Sequence, residues 1–288
     1  MPLTTTGELV TRAAAHRSAV ASFNIITLEH VEAVIAGAES VNAPVVLQVS
    51  ENAVKFRHGR LLPLARAAVA AAERAAVPVA LHLDHVQNDA LLRQAPDAGF
   101  GSVMYDAARL PYADNLAGTR AAVDWAHSQG LWIEAELGEV GGKAGRPAPD
   151  AHAPGARTDP DRARAFVADS GVDALAVAIG TTHAMTTRTA TLDHALLERL
   201  AATLDVPLVL HGSSGLPDHE LAAAVTGGIA KVNVGTALNI AMTGAIREFL
   251  TAHPEAVDSR GYLTVGREAM ARAVASVIEA LGPAPGES

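Results

Sequence analysis

Short apolar runs recur along almost the whole chain, each followed by a longer stretch whose apolar positions repeat with helical spacing. The runs cover residues 19–25, 45–49, 79–83, 101–105, 131–136, 174–179, 207–210 and 229–234. Several read as continuous apolar runs, as strands covered on both faces are. Between them the spacing predicts helices over 28–40, 60–75, 89–98, 112–129, 160–170, 193–203, 217–226 and 236–252. In the first of these, Leu28, Val31, Val34, Ile35 and Ala38 fall at helical spacing. Asp193 and Pro217 suit helix starts. Eight strand–helix alternations with short connections imply a parallel sheet. Eight such units in 288 residues fit a closed (β/α)8 TIM barrel, an α/β fold read here as one domain over residues 1–288. A doubly wound open sheet is the other arrangement such a pattern allows. Extra helices over 5–14 and 265–281 flank the repeats at the N- and C-terminal ends. The Gly/Pro-rich connection 138–159 leaves the end of the fifth strand and is expected to be a mobile active-site loop.

Composition narrows the chemistry. Aromatic residues are only 3% of the chain, so the core must be filled by Ala, Val, Leu and Ile. The absence of Cys removes disulfides, thiol nucleophiles, Fe–S clusters and zinc ribbons together. A transition metal would therefore have to use His, Asp and Glu, and the chain has 12 His. A formal net charge of −9 with no basic run argues against nucleic acid. No apolar run approaches a membrane span, and the N-terminus lacks a basic region followed by an apolar one. The expectation is a cytoplasmic protein that does not enter a membrane.

In a barrel of this kind the C-terminal strand ends form the active face. Polar groups collect there: His82, Asp84 and His85 after strand three, Glu134 and Glu136 in strand five, and His183 after strand six. Strand seven ends in His211 and the run Gly212-Ser213-Ser214-Gly215; strand eight ends in Asn233-Val234-Gly235-Thr236. Each His alone could be a hydrogen-bonded structural residue. Together, His85, His183 and His211 would bring three imidazoles to one rim, and three His around Zn²⁺ leave an open coordination position. Asp84 could orient an imidazole, act as an acid or base, or cap a helix. Glu136 could be a ligand or a structural partner of a His. The glycine segments at 212–215 and 235–236 are each expected to open a helix, where backbone amides attract anions or simply make a tight turn. A metal on one side and a phosphate on the other suggest a small phosphorylated carbonyl or polyol substrate.

These residues sit in ASFN at 21–24, LHLDH at 81–85, EAELG at 134–138, LAVAIGTTH at 175–183, LVLHGSSG at 208–215 and KVNVGT at 231–236. The chain thereby resembles the class II, zinc-dependent ketose-bisphosphate aldolases, in the branch of the tagatose- and fructose-bisphosphate enzymes, collinearly from about residue 8 to residue 280. The resemblance implies reversible aldol cleavage of a ketose bisphosphate to dihydroxyacetone phosphate and an aldehyde, by a homodimer or homotetramer. It makes His85, His183 and His211 the Zn²⁺ ligands, with Glu136 able to approach the metal in an alternate position. It makes Asp84 the acid/base at the substrate C4 hydroxyl. It places Gly212, Ser214 and Thr236 around the dihydroxyacetone-phosphate phosphate, Asn233 near the reacting carbons and Ser50 near the distal phosphate. It also implies a monovalent cation, Na⁺ or K⁺, bound through backbone carbonyls.

Three positions depart from the family pattern. The segment after His183 lacks the usual Lys, for which Arg188 is the substitute within reach in sequence. Asn239 stands where relatives carry a Lys or Arg associated with the distal phosphate, leaving Lys55, Arg57 and His58 as other sources of charge. Gly141-Gly142-Lys143 replaces a Glu-bearing loop, so Glu139 and Asp150 become candidates for moving the carbon-bound proton. Two other readings compete. One is a Schiff-base aldolase or lyase using Lys231, one of only three lysines. The other is a non-catalytic barrel that keeps the pocket.

Overall fold

A computed structural model describes residues 3–138 and 157–282. The connection expected to be a mobile loop, with Glu139, the 141–143 segment and Asp150, lies outside the described residues. Eight strands, β1 (Val20–Asn24), β2 (Val45–Ser50), β3 (Val79–Val86), β4 (Ser102–Tyr105), β5 (Trp132–Leu137), β6 (Ala174–Val177), β7 (Leu208–Leu210) and β8 (Ile229–Val234), close into a barrel in sequence order. Every neighbouring pair is parallel, including β8 with β1. The (β/α)8 fold is therefore the one the alternation predicts.

Alternation along each strand divides two environments. Outward residues such as Phe23, Leu47, Leu81, Ile133 and Leu175 pack under the helices in the main apolar core. Inward residues form layers. At the N-terminal end Val20, Val46, Ala80 and Ala230 meet Leu9 and Val10 of the helix Thr6–Ala15, which plugs the barrel. That helix is started by a capping box in which Thr5 and Glu8 satisfy each other's backbone N–H groups. Above this layer the interior turns polar, with Ser22, Gln48, His82, Ser102, Glu134 and Lys231 all buried.

Several boundaries differ from the pattern-based expectation, each for a local reason. An extra short helix, Glu51–Phe56, follows β2 because Ser50 caps it through Ala53 N. The helix expected over 60–75 is shorter, Leu62–Ala72. The one expected over 89–98 splits into Asp89–Leu92 and Ala95–Ala98, since Pro96 cannot donate into a continuous helix. The last helix begins at Ser259, six residues early, under the cap of Asp258. Gly212–Gly215 does not open a long helix: Ser213–Gly215 is one 3₁₀ turn, and the helix starts at Asp218.

The strand most changed is β3, which continues past Leu83 to Val86. Leu83 pairs with Val103 and Val86 with Tyr105, so two residues of β3, Asp84 and His85, face one of β4, Met104. This bulge carries His85 at φ +50, a left-handed conformation costly for a non-glycine residue. Its effect is to aim two consecutive side chains at the same end of the barrel.

Candidate active site

The C-terminal ends of the strands enclose a cleft of about 680 Å³. Its walls include Asp84, His85, Asp106, His183, Gly212, Ser214, Asn233, Thr236 and Ser50. His85, Glu136, His183 and His211 each offer one ligand atom, and these atoms lie within 4.8 Å of one another. The ring centroids of the three His are 4.8 to 5.9 Å apart and the rings are edge-on. The structure thus brings together all three His singled out in the sequence, together with Glu136.

His85 and His211 are aimed by partners behind them. His85 Nδ1 is 2.9 Å from Asp106 Oδ2, leaving Nε2 for a ligand. His211 Nε2 is 2.8 Å from Glu134 Oε1 and 3.0 Å from Asn233 Nδ2. Its buried Nδ1 has no hydrogen-bond partner among the described residues and lies 3.4 Å from Glu136 Oε2. The loop of His183 is tied to that of His211, because Thr181 Oγ1 donates to the His211 carbonyl at 2.7 Å. Carboxylate or amide groups behind metal-facing imidazoles fix both ring orientation and tautomer.

A buried relay supports this arrangement. Lys231 Nζ donates to Glu134 Oε2 and to Asn233 Oδ1, both at 2.8 Å. Burial disfavours the Glu134 carboxylate, but the Lys231 ammonium and His211 outweigh it and hold its pKa well below the usual range. His82 bonds Ser102 Oγ at 2.8 Å; burial, reinforced by Lys231, lowers its pKa to about 3, so it is neutral. Burial opposes an imidazolium at His211, yet Glu134 and Glu136 push its pKa up to about 9. A cation that binds at Nδ1 therefore displaces a proton.

Charge counting tests whether a cation fits. Lys231 offsets Glu134. That leaves Asp84, Glu136 and Asp106 buried together, at 2%, 0% and 4% exposure, with the His85 imidazole beside Asp106 and the His211 imidazole beside Glu136. Buried carboxylates are costly without compensation. Three nitrogen donors and one oxygen around a common point suit a borderline divalent ion such as Zn²⁺. The residues therefore fit a metal.

Asp84 sits beside this cluster. Its Oδ2 accepts from Asn24 Nδ2 at 3.2 Å, whereas Oδ1 is buried without a hydrogen-bond partner among the described residues. Burial raises its pKa, but His85, His211, His82 and Lys231 outweigh that and leave it below its ordinary value. The carboxylate is thus ionised, with an oxygen to spare.

Across the cleft the loops after β7 and β8 are stitched together. Ser213 Oγ donates to the Asn233 carbonyl at 2.6 Å, and Ala237 N donates to Ser214 Oγ at 3.2 Å. Gly212 is required in its turn: its φ is +67, and a Cβ there would lie 2.7 Å from Thr182 O. Thr236 opens the 17-residue helix Thr236–Ala252, whose N-terminal amides face this end of the barrel.

Some candidates lie elsewhere. Arg188 cannot replace the missing cation, because it bonds the Leu216 carbonyl and the Asp218 carboxylate and does not line the cleft. Arg57 spends its guanidinium on the Ile26 carbonyl, and His58 is not on the cleft wall; of that group only Lys55 is. Lys231 is fully buried between two acceptors rather than exposed to a substrate. Asp106 and Glu134 carry supporting roles that the motifs did not assign. Asp106 stands one place after β4, the same position that marks the other site residues, and Glu134 is one alternation before Glu136.

The comparisons agree with this fold. The family model described as fructose-bisphosphate aldolase class-II matches residues 4–285. The crystal structure of the YdjI aldolase from Escherichia coli K12 is 30% identical, covers 97% of each chain and superposes with a TM-score of 0.82. The fructose-bisphosphate aldolase of Campylobacter jejuni, 22% identical, shares the fold with a TM-score of 0.81 over 97% of this chain and 95% of that one. A closed barrel with this cluster at its C-terminal end, matched over nearly its whole length, belongs to the class II fructose-bisphosphate aldolase family.

Proposed function

We propose that this protein is a Zn²⁺-dependent aldolase that cleaves a ketose 1-phosphate or 1,6-bisphosphate to dihydroxyacetone phosphate and an aldehyde, and catalyses the reverse addition. The observation that carries the reading is the convergence of His85, His183, His211 and Glu136 within 4.8 Å at the buried C-terminal end of the barrel. His85, His183 and His211 would hold the ion, with Glu136 as an alternate ligand. When bound, a divalent ion there supplies Lewis-acid polarisation of a carbonyl.

The remaining work falls to side chains. Cleavage needs a base for the hydroxyl proton at the carbon that becomes the aldehyde, and Asp84, whose pKa is held low, has an Oδ1 with no hydrogen-bond partner among the described residues. Gly212, Ser214 and Thr236 offer backbone and hydroxyl donors for the phosphate of the dihydroxyacetone half. Holding that phosphate fixes the reacting carbons relative to Asp84 and Asn233. Ser50, on the opposite wall, contacts the far end of the substrate. A Na⁺ or K⁺ bound by carbonyls of the phosphate loops completes the assignment.

A Schiff base at Lys231 is the weaker reading, since its ammonium is held by Glu134 and Asn233. We read residues 1–288 as one domain acting as a homodimer or homotetramer in the cytoplasm, with no nucleic-acid partner. No helix among the described residues is long and apolar enough to cross a membrane. The interface does not use the buried face of the last helix, whose Met270, Val274 and Ile278 are covered within the chain. The test is Asp84→Asn. Release of dihydroxyacetone phosphate should fall by about 10²–10⁴-fold in kcat with metal content unchanged. Full turnover in that variant would remove Asp84 from the mechanism.

A further inference from the structure

Asn239 lies one helical turn beyond Thr236 and lines the same cleft. Its Oδ1 is 3.4 Å from His30 Nε2, and His30 Nδ1 is 3.0 Å from Thr27 Oγ1. His30 is 3% exposed, so the pair Thr27–His30 is a fixed prop behind the amide. Burial holds the His30 imidazole below its ordinary pKa, and the prop brings no positive charge near neutrality. With Oδ1 engaged, the Nδ2 hydrogens are the donors Asn239 has left for a ligand.

We propose that Asn239, positioned by His30, recognises an uncharged, hydroxyl-bearing aldehyde half of the substrate, so that the protein prefers ketose 1-phosphates to ketose 1,6-bisphosphates. This rests on the aldolase reading above. A neutral amide suits a hydroxyl or carbonyl oxygen; bonds to a phosphate dianion from a cation would be roughly twice as strong. The surroundings point the same way. Ile26 and Phe56 add apolar wall, while Asp84 and Asp106 add carboxylates to the same cleft, which disfavours a second phosphate. Among the described residues the cations of the wall are Lys55 and Arg109. The Lys55 ammonium is engaged by Glu51 at 2.8 Å, and Arg109 lies on an exposed segment. Dihydroxyacetone phosphate remains the common product, and only the aldehyde differs.

The experiment is steady-state cleavage by the zinc-loaded full chain of fructose 1-phosphate and fructose 1,6-bisphosphate, and of the tagatose pair, read as dihydroxyacetone phosphate released. The 1-phosphates should have kcat/KM at least about tenfold higher. Asn239→Leu should lower that value about tenfold, mostly through KM, the net worth of one hydrogen bond to a substrate hydroxyl. His30→Leu should raise KM with kcat unchanged, and Asn239→Lys should shift preference toward the bisphosphates. Preference of the unaltered protein for bisphosphates, or an unchanged ratio in Asn239→Lys, would overturn the proposal. No dihydroxyacetone phosphate from any ester, with no solvent deuterium exchange into dihydroxyacetone phosphate itself, would overturn the aldolase reading and this proposal with it.

Discussion

Lys231 is fully buried, and what makes that tolerable is its pair of acceptors, Glu134 and Asn233. Breaking such a pair by removing one partner strands a charge and costs about 3–5 kcal/mol. Lys231→Met should therefore lower unfolding free energy by that order, and Glu134→Leu added to it should recover part of the loss. Because Glu134 also holds His211 Nε2, Glu134→Ala should weaken divalent-ion binding by about 10- to 100-fold in chelator competition. Unchanged affinity would show that the His211 ring is held by other contacts. At this scale the sequence was informative for groups that touch the centre and poor for those behind it. His85, His183 and His211 stand out because each ends an apolar strand. Asp106 likewise follows an apolar strand and Glu134 lies inside one, but their role is set by which atom of which imidazole they face, a property of three dimensions.

Elements were legible where one strong local signal decided them. The Thr236 helix start, the Asp193 cap and the eight apolar runs all match their observed counterparts to within a few residues. The β3 bulge was not legible, since nothing in LHLDH marks the extra residue that turns Asp84 and His85 to one end. Packing between elements was equally hidden. Gly37, within the helix Leu28–Ser40, lets that helix approach the last one, Ser259–Ala280, so closely that a Cβ would sit 2.5 Å from Ala271 O and 2.6 Å from Val274 Cβ. Gly37→Ala gains helix propensity yet should destabilise by about 1–3 kcal/mol in denaturant titration, because backbone cannot yield as a side-chain tip can.

The helix Glu51–Phe56 is tied to the end of β3 by charge. Glu51 accepts from Gln87 N at 2.7 Å and Asn88 N at 3.1 Å and pairs with Lys55. Burial opposes its ionisation, but these partners prevail, so its folded pKa lies below 4.5. A depressed carboxylate contributes stability in full above its unfolded pKa and loses it as pH falls through the folded value. The stability difference between the unaltered protein and Glu51→Gln should thus be constant near neutrality and shrink once pH drops below about 4.5. A difference that instead grows with acidity would mean the carboxyl is not ionised in the fold.

For the whole molecule, the −9 charge of the chain and the acidic interior of its barrel have a common consequence. A protein of this charge that handles phosphate esters must place its attraction locally, in helix N-termini, a few donors and a cation at the strand ends. The barrel itself was readable from the period of its apolar runs, because a parallel sheet buried on both faces leaves few alternatives. The prop behind Asn239 was less readable, since Asn239 and His30 meet across 209 positions of sequence. The cluster of His85, His183, His211 and Glu136 is expected to bind a divalent ion on which cleavage depends. The most direct measurement is ketose-phosphate cleavage after exhaustive chelation, followed by titration with Zn²⁺. Dihydroxyacetone phosphate formation should be lost on chelation and fully recovered at one equivalent per chain. Undiminished cleavage in the metal-free protein, or borohydride trapping of substrate on Lys231, would contradict it.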